Sequence, residues 1–258
     1  MASSPKRSVP EEACPSAAAA EKLARYNFSD IEDYEMLGEL GEGAFGVVAK
    51  ARHRLTGDTV AVKWIRGDGN GDGTSNHDAV VREGDCLGKC LGHPSIVQVK
   101  DAATDKASGD LFLVMECVDG PSLRNWLTSR GPVSEHLARE FMGQLLSAAA
   151  TMHAAPMIHR DIKPENILVG AGGELKICDF GMMDLQDGIA SMGLNAFDDL
   201  GELSTAGREL LAGLLSVNPC ERLRATEALK HRWFTVDTEP PALAKAEFPG
   251  FVPMFSAV

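Results

Sequence analysis

No apolar run in this 258-residue chain approaches the ~20 residues that a membrane-spanning helix needs. Near the N-terminus the only apolar stretch is Ala17 to Ala20, too short for the core of a secretory leader. The serines and basic residues there faintly resemble a plastid transit peptide, but Glu11 and Glu12 oppose it, and a solvated tail is expected. Positive charge is also scarce. A formal net charge of −12 and a pI near 5.0 supply no basic face, so neither nucleic acid nor a membrane surface is an expected partner. A basic peptide remains compatible. Six cysteines, at 14, 86, 90, 117, 178 and 220, show neither disulfide-framework nor zinc spacing. They read as reduced thiols of a cytoplasmic or nuclear protein. Cys86 and Cys90 can share a helix face near His93, yet small buried hydrophobes are the expected role. There is no internal repeat.

What is present divides the chain in two. Residues 1 to about 30 read as a disordered tail with a short helix over Ala17 to Tyr26. From Tyr34 to Val118 the pattern is strand-like, with a turn at Thr56-Gly57-Asp58 before the alternating Val60-Ala61-Val62-Lys63. From Ser122 the period becomes helical: Leu137, Phe141 and Leu145 recur every four residues and Met152 follows, which predicts an amphipathic helix after Pro132. The result is a small β-rich lobe, 31–118, a link near Glu116 to Pro121, a larger helical lobe, 119–234, and a tail, 235–258. The insert Asp68 to Gly73 opens like a calcium-binding loop, but its closing position is Ala79 where a bidentate Glu is needed, so a surface loop is expected.

The most informative stretch runs from His159 to Asn166, H-R-D-I-K-P-E-N, with D-F-G at Asp179. An Asp that handles a hydroxyl proton, a Lys two residues on, an Asn five residues on and a second Asp beyond form a compact set for phosphoryl transfer. Such chemistry calls for a nucleotide and metal ions.

Upstream residues supply the nucleotide half. Gly41-Glu-Gly43-Ala-Phe-Gly46-Val-Val48 is a Gly-rich turn whose N–H groups can approach phosphate oxygens. A dinucleotide-binding loop has the same glycines, but a strand rather than a helix follows Gly46. Lys63 closes the V-A-V-K strand, at the spacing of a lysine that holds α- and β-phosphates. A lone strand-edge lysine is ordinarily just solvated. Glu83 argues otherwise, because Val80 and Leu87 place it on the inward stripe of a helix, where a carboxylate needs a cation. Gly84 and Gly88 weaken that helix by roughly 1 kcal/mol each relative to Ala, so its position depends on partners. A flat slot follows, with backbone groups at Glu116 and Val118 and apolar walls from Leu40, Val48, Ala61 and Leu168.

Taken in order, L-G-E-G-A-F-G-V-V, V-A-V-K, R-E, L-V-M-E, H-R-D-I-K-P-E-N-I-L and D-F-G make the chain resemble a eukaryotic protein kinase. Its wording is most similar to the plant cyclin-dependent-kinase-like serine/threonine group. The resemblance implies an α+β, bilobal fold with a β-rich N-lobe and a helical C-lobe. It implies ATP and Mg2+ as cofactors and a protein substrate, and leaves open a cyclin-like activator on the Glu83 helix. By the same resemblance Asp161 accepts the substrate hydroxyl proton, Lys163 steadies the γ-phosphate, and Lys63 and Glu83 complete the catalytic set. Asn166 and Asp179 become the metal ligands. Leu40, Gly41, Gly43, Gly46, Val48, Ala61, Lys63, Glu116, Val118 and Leu168 surround the nucleotide. His159 is expected to pack near Phe180, and Arg160 to meet an activation-loop phosphate.

The pattern then breaks. Only 43 positions separate Asp179 from Arg222, far fewer than in a complete kinase domain, and the A-P-E and Asp-x-Trp-x-x-Gly motifs are absent. Much of the activation segment and the central helix is therefore expected to be missing. Arg222, which pairs with the A-P-E Glu in the family, must find another carboxylate or lie exposed. The lower lobe is expected to lose support and become partly molten. Ser191, Ser204 and Thr205 are the hydroxyls left in the gap, and the apolar tail Phe248 to Phe255 is expected to dock on the large lobe.

Overall fold

The structure is a computed structural model that describes residues 28–43, 46–65, 77–181 and 203–235. The expected helix at 17–26, the insert 67–76, Ser191 and the tail 248–255 lie outside these residues.

The upper lobe is a six-stranded sheet. In chain order its elements are β1 (Ser29–Asp30), β2 (Tyr34–Gly43), β3 (Gly46–His53), β4 (Thr59–Ile65), helix α1 (His77–Lys89), β5 (Val99–Thr104) and β6 (Leu111–Glu116). The strands lie in the order β1-β5-β6-β4-β3-β2. All neighbours are antiparallel except β1 and β5. Alternation in β4 decides what the lobe presents below. Val60 and Val62 enter a cluster with Tyr34, Ala51, Ala103 and Val114, which leaves Ala61 and Lys63 on the opposite, cleft-facing side. In α1 the buried residues Val80, Glu83, Cys86 and Leu87 form one stripe toward the sheet, as the spacing predicts.

Gly46 opens β3 at φ +144, and a Cβ there would strike the Trp64 carbonyl oxygen, so position 46 tolerates only glycine. Gly120 in the link shows the same close approach, with a built Cβ 1.9 Å from Val169 O. The link is thereby pressed backbone to backbone against the lower lobe, and the Val169 N–H donates to Pro121 O at 2.9 Å.

The lower lobe carries α2 (Leu123–Arg130), α3 (Glu135–Ala154), the hairpin β7 (Ile167–Val169) and β8 (Leu175–Ile177), α4 (Thr205–Leu214) and the short α5 (Ala225–Ala228). Serine caps start three of these helices. The hydroxyls of Ser122, Ser134 and Ser204 accept the N–H of Asn125, Leu137 and Gly207. One hydrophobic core joins the lobes. It runs from Leu87 and Leu113 above through Trp126, Phe141 and Met152 to Ile177 and Phe180.

A second core answers the shortened segment after Gly181. Ala206 and Leu210 of α4, Ala225 and Ala228 of α5, Trp233 and Phe234 pack together with Leu146 of α3. Glu135 ties this cluster down, accepting from the Ser204 N–H at 3.0 Å, the Ser204 hydroxyl at 2.6 Å and the Trp233 indole N–H. Arg139 stacks over the Trp233 ring at 5.4 Å. Among the described residues, α4, α5 and Trp233 thus share a core with Leu146 of α3. The Arg222 expectation is corrected. It is half-buried and its Nε donates to the Ser216 carbonyl at 2.9 Å, a backbone acceptor rather than a carboxylate.

Candidate functional site

The cleft between the lobes gathers two constellations. In the upper one, Lys63 Nζ lies 2.8 and 2.9 Å from the two oxygens of Glu83 and 2.7 Å from Asp179 Oδ1. Lys63 is 4% and Glu83 2% exposed, so this is a buried ion pair. Burial pushes the Lys63 ammonium down, but Glu83 and Asp179 outweigh it and hold its pKa above the ordinary value. Burial raises the Glu83 carboxyl, and Lys63 offsets this only in part. With both oxygens on the ammonium and the Phe180 N–H donating to Oε1 at 3.3 Å, the charged form is the one this geometry serves.

The lower constellation is built on the loop before β7. Asp161 Oδ2 accepts from Lys163 Nζ at 2.7 Å and from Asn166 Nδ2 at 2.8 Å. The hydrogen bond from Lys163, then the one from Asn166, keeps the Asp161 carboxyl below the usual carboxylate range despite some burial. Asn166 Nδ2 also donates to the Asp161 carbonyl at 2.9 Å, which turns its amide oxygen away from Asp161. His159 braces the loop. Its Nδ1 accepts the Asp161 N–H at 3.3 Å, so the ring proton sits on Nε2 and is donated to the Cys178 carbonyl at 3.1 Å. Burial first of all lowers the His159 pKa, in keeping with that neutral ring, and the ring stands edge-on to Phe180 at 4.7 Å. Cys178 is a protonated thiol, its pKa pushed up to about 12 by burial.

Backbone strain marks the same place. Among the described residues, Arg160 at φ 65 and Asp179 at φ 62 are the non-glycine residues in the left-handed region. The turn at Asp179 delivers its carboxylate to Lys63. Arg160 is exposed.

The residues expected around a nucleotide lie on β2, β3, β4, the link and β7. Ala61 is buried beside Met115, Val48 and Leu168 are half-buried, and Leu40 is 52% exposed. Of the backbone groups in the link, the Glu116 N–H donates to Gln98 O at 2.9 Å and the Val118 carbonyl accepts the Gly120 N–H at 3.2 Å. The residues fit a magnesium–nucleotide complex: Asp179 and Asn166 offer two hard oxygen donors, the number that magnesium takes from protein when phosphates supply others.

Three contacts escaped sequence reasoning: Lys63 to Asp179, the Phe180 N–H to Glu83, and Glu116. The Glu116 carboxylate accepts from Lys176 Nζ at 2.8 Å and from the Gln98 N–H at 2.9 Å, pinning the start of the link to β8. Their sequence separations of 116, 97 and 60 leave no local signal for the first two or for Lys176. Among the described residues no cluster of three His, Cys, Asp or Glu side chains could hold a metal, and Cys86 and Cys90 are simply buried. No described helix is long and apolar enough to cross a membrane.

The family model for the protein kinase domain matches residues 34–191, which contain both constellations. The chain belongs to the protein kinase family. A putative cyclin-dependent kinase F-2 of Oryza sativa subsp. japonica is 49% identical over 159 residues, covering 59% of this chain and 47% of that protein. CBL-interacting protein kinase 1 of the same plant is 37% identical over 161 residues, covering 62% of this chain and 34% of its own length. CBL-interacting protein kinase 9, also from that plant, is 26% identical over 280 residues, covering 83% of this chain and 59% of that protein. That last alignment draws its 280 positions against 83% of 258 residues, so roughly 66 of them face no residue here. The chain spans less than two thirds of the length of each of these relatives.

Proposed function

We propose that this chain is a serine/threonine protein kinase that uses Mg2+ and ATP. The observation that carries the reading is the convergence of Lys63, Glu83 and Asp179 with Asp161, Lys163 and Asn166 in one cleft. Bound Mg·ATP supplies the phosphoryl group and the positive charge that its transfer needs. The chain's own residues do the rest. Lys63, held by Glu83, grips the α- and β-phosphates, and the backbone from Gly41 through Gly43 to Gly46 covers them. Asn166 and Asp179 hold the metal. Asp161, kept ionised by Lys163, orients the substrate hydroxyl and takes its proton, while the Lys163 ammonium faces the γ-phosphate. Ala61, Val48, Leu40 and Leu168, with the link at Glu116 and Val118, would hold the adenine.

Residues 31–118 and 119–234 act as the two lobes in this reading. Its partners are a protein substrate and a cyclin-like activator on α1. Its free cysteines suit the cytoplasm or nucleus.

A second reading, a nucleotide-binding regulatory module, is favoured by one observation. Ser204 docks on Glu135 at the start of α3 only 25 positions after Asp179, in a chain without the A-P-E motif, which leaves little sequence for the usual peptide platform. One experiment separates the two. The chain is given Mg·ATP, and both thermal stabilisation and transfer of labelled γ-phosphate to a basic serine-containing protein are followed. The kinase reading predicts both. Stabilisation without transfer sinks it in favour of the regulatory module, and absence of both sinks the nucleotide site itself.

A further inference from the structure

The Lys63–Glu83 pair exists only while α1 is held against the sheet, which its buried stripe of Val80, Cys86 and Leu87 begins to do. An open groove of about 620 Å³ runs between one flank of α1 and β5, lined in part by Gly84, Gly88, Val99 and Leu113. A Cβ at Gly88 would meet nothing within 4 Å, and one at Gly84 only Leu113 Cδ1 at 3.4 Å. Along that flank the two glycines offer no side chain to the sheet, so α1 is positioned there by the side chains that reach it from elsewhere.

One of the remaining contacts comes from before residue 34, where the family match begins. Phe28 lines the same groove and packs against the buried cluster of Ile65, Val80 and Leu111. Val80 sits one turn before Glu83 on the same buried stripe of α1. Phe28 is in turn fixed by the two residues that follow it. Ser29 and Asp30 form β1, which extends the sheet edge in parallel register with Ala103 and Thr104 of β5. The Ser29 hydroxyl donates to Asp101 Oδ2, which also accepts from the Tyr34 hydroxyl at 3.0 Å. Asp30 pairs with Lys106 at 2.6 Å and accepts the Glu32 N–H at 3.1 Å.

We infer that residues 28–30 are a built-in strut for α1, in which Phe28 is a positioning residue that holds Val80, and through the helix Glu83, in reach of Lys63 and Phe180. The geometry of the proposed nucleotide site is thereby set in part by the chain's own N-terminal extension. The functional meaning of the strut rests on that proposal; its mechanical role does not.

Amide hydrogen exchange on the full chain tests it, because the Phe180 N–H donates to Glu83 and so reports whether α1 is seated. Phe28→Ala should speed exchange at least tenfold in α1 and in the peptide spanning Asp179 to Gly181. Phe28→Leu, which retains most of the contact, should give a smaller acceleration of about threefold. Ser134→Ala, which removes the cap of α3 in the other lobe, should leave both regions at the wild-type rate. The Kd for Mg·ADP should rise at least fivefold in Phe28→Ala and recover in Phe28→Leu. Unchanged protection in both Phe28 variants overturns the strut, as does an equal loss in Ser134→Ala. Should Phe28→Ala fail to fold, the Phe28→Leu acceleration decides alone. Absence of Mg·ADP binding by the wild type would count against the proposed function, while the exchange rates still decide the strut.

Discussion

Replacing Lys63 with methionine would remove the cation from a carboxylate that is 2% exposed. Methionine keeps most of the aliphatic stem, so the loss is electrostatic rather than one of volume. Breaking one side of a buried ion pair costs about 3–5 kcal/mol. Asp179 also loses a partner, but its side chain is 28% exposed and water replaces most of that interaction. The low end, about 3 kcal/mol at pH 8, is therefore expected, equivalent to a fall of about 6–12 °C in Tm for a chain of this size. The pH dependence carries the sharper test. Burial already raises the Glu83 pKa with Lys63 present, and without the cation it rises further. A carboxyl whose pKa is raised in the folded state costs nothing below the unfolded value of about 4.3; the penalty grows as pH climbs from there to the folded value and is complete above it. Urea melts at several pH values should show the gap between wild type and Lys63→Met narrowing from pH 8 toward pH 5. A gap that is constant with pH, or no gap, would refute the claim that Lys63 neutralises Glu83.

Two further outcomes concern the frame around the site. Glu135→Ala strands the buried Trp233 indole N–H and both Ser204 donors, so a loss of about 2 kcal/mol is expected. Hydrogen bonds from Ser204 and Trp233 outweigh burial and lower the Glu135 pKa, so the contribution is present above the unfolded value. Its difference from wild type should vanish as pH falls through and below the ordinary carboxylate range, while nucleotide affinity at neutral pH stays unchanged. Glu116→Ala removes the tie between the link and β8; half-buried and partly screened, it should lower stability by only about 1 kcal/mol in a thermal melt, yet weaken Mg·ATP binding measured by calorimetry.

The motif residues were legible because each carries a chemical demand within a short window. Val80, Glu83 and Leu87 showed a carboxylate on an inward helical stripe, and the nearest cation in a strand, Lys63, is the one it meets. The helix after Pro132 and the packing of His159 on Phe180 were equally readable. What lay outside local pattern was not. Asp179 reaches Lys63 only because its backbone adopts φ 62, a choice imposed by tertiary context. A two-residue strand such as β1 has no period to detect. The lower-lobe repair joins Glu135 to Ser204 and Trp233 across separations of 69 and 98, and its short elements were read as loss rather than as a second core. Arg222 was assigned a carboxylate by charge alone, whereas a nearby carbonyl was sufficient.

The central claim is that the two constellations form one magnesium–nucleotide cleft. Calorimetric titration of ATP with and without Mg2+, in the wild type and in Asp179→Asn, tests it most directly. The account predicts that Mg2+ tightens ATP binding at least tenfold in the wild type and that Asp179→Asn abolishes most of this gain, because the charged member of the two proposed ligands is lost. ATP affinity indifferent to Mg2+ in the wild type, or a gain that survives Asp179→Asn intact, would contradict it.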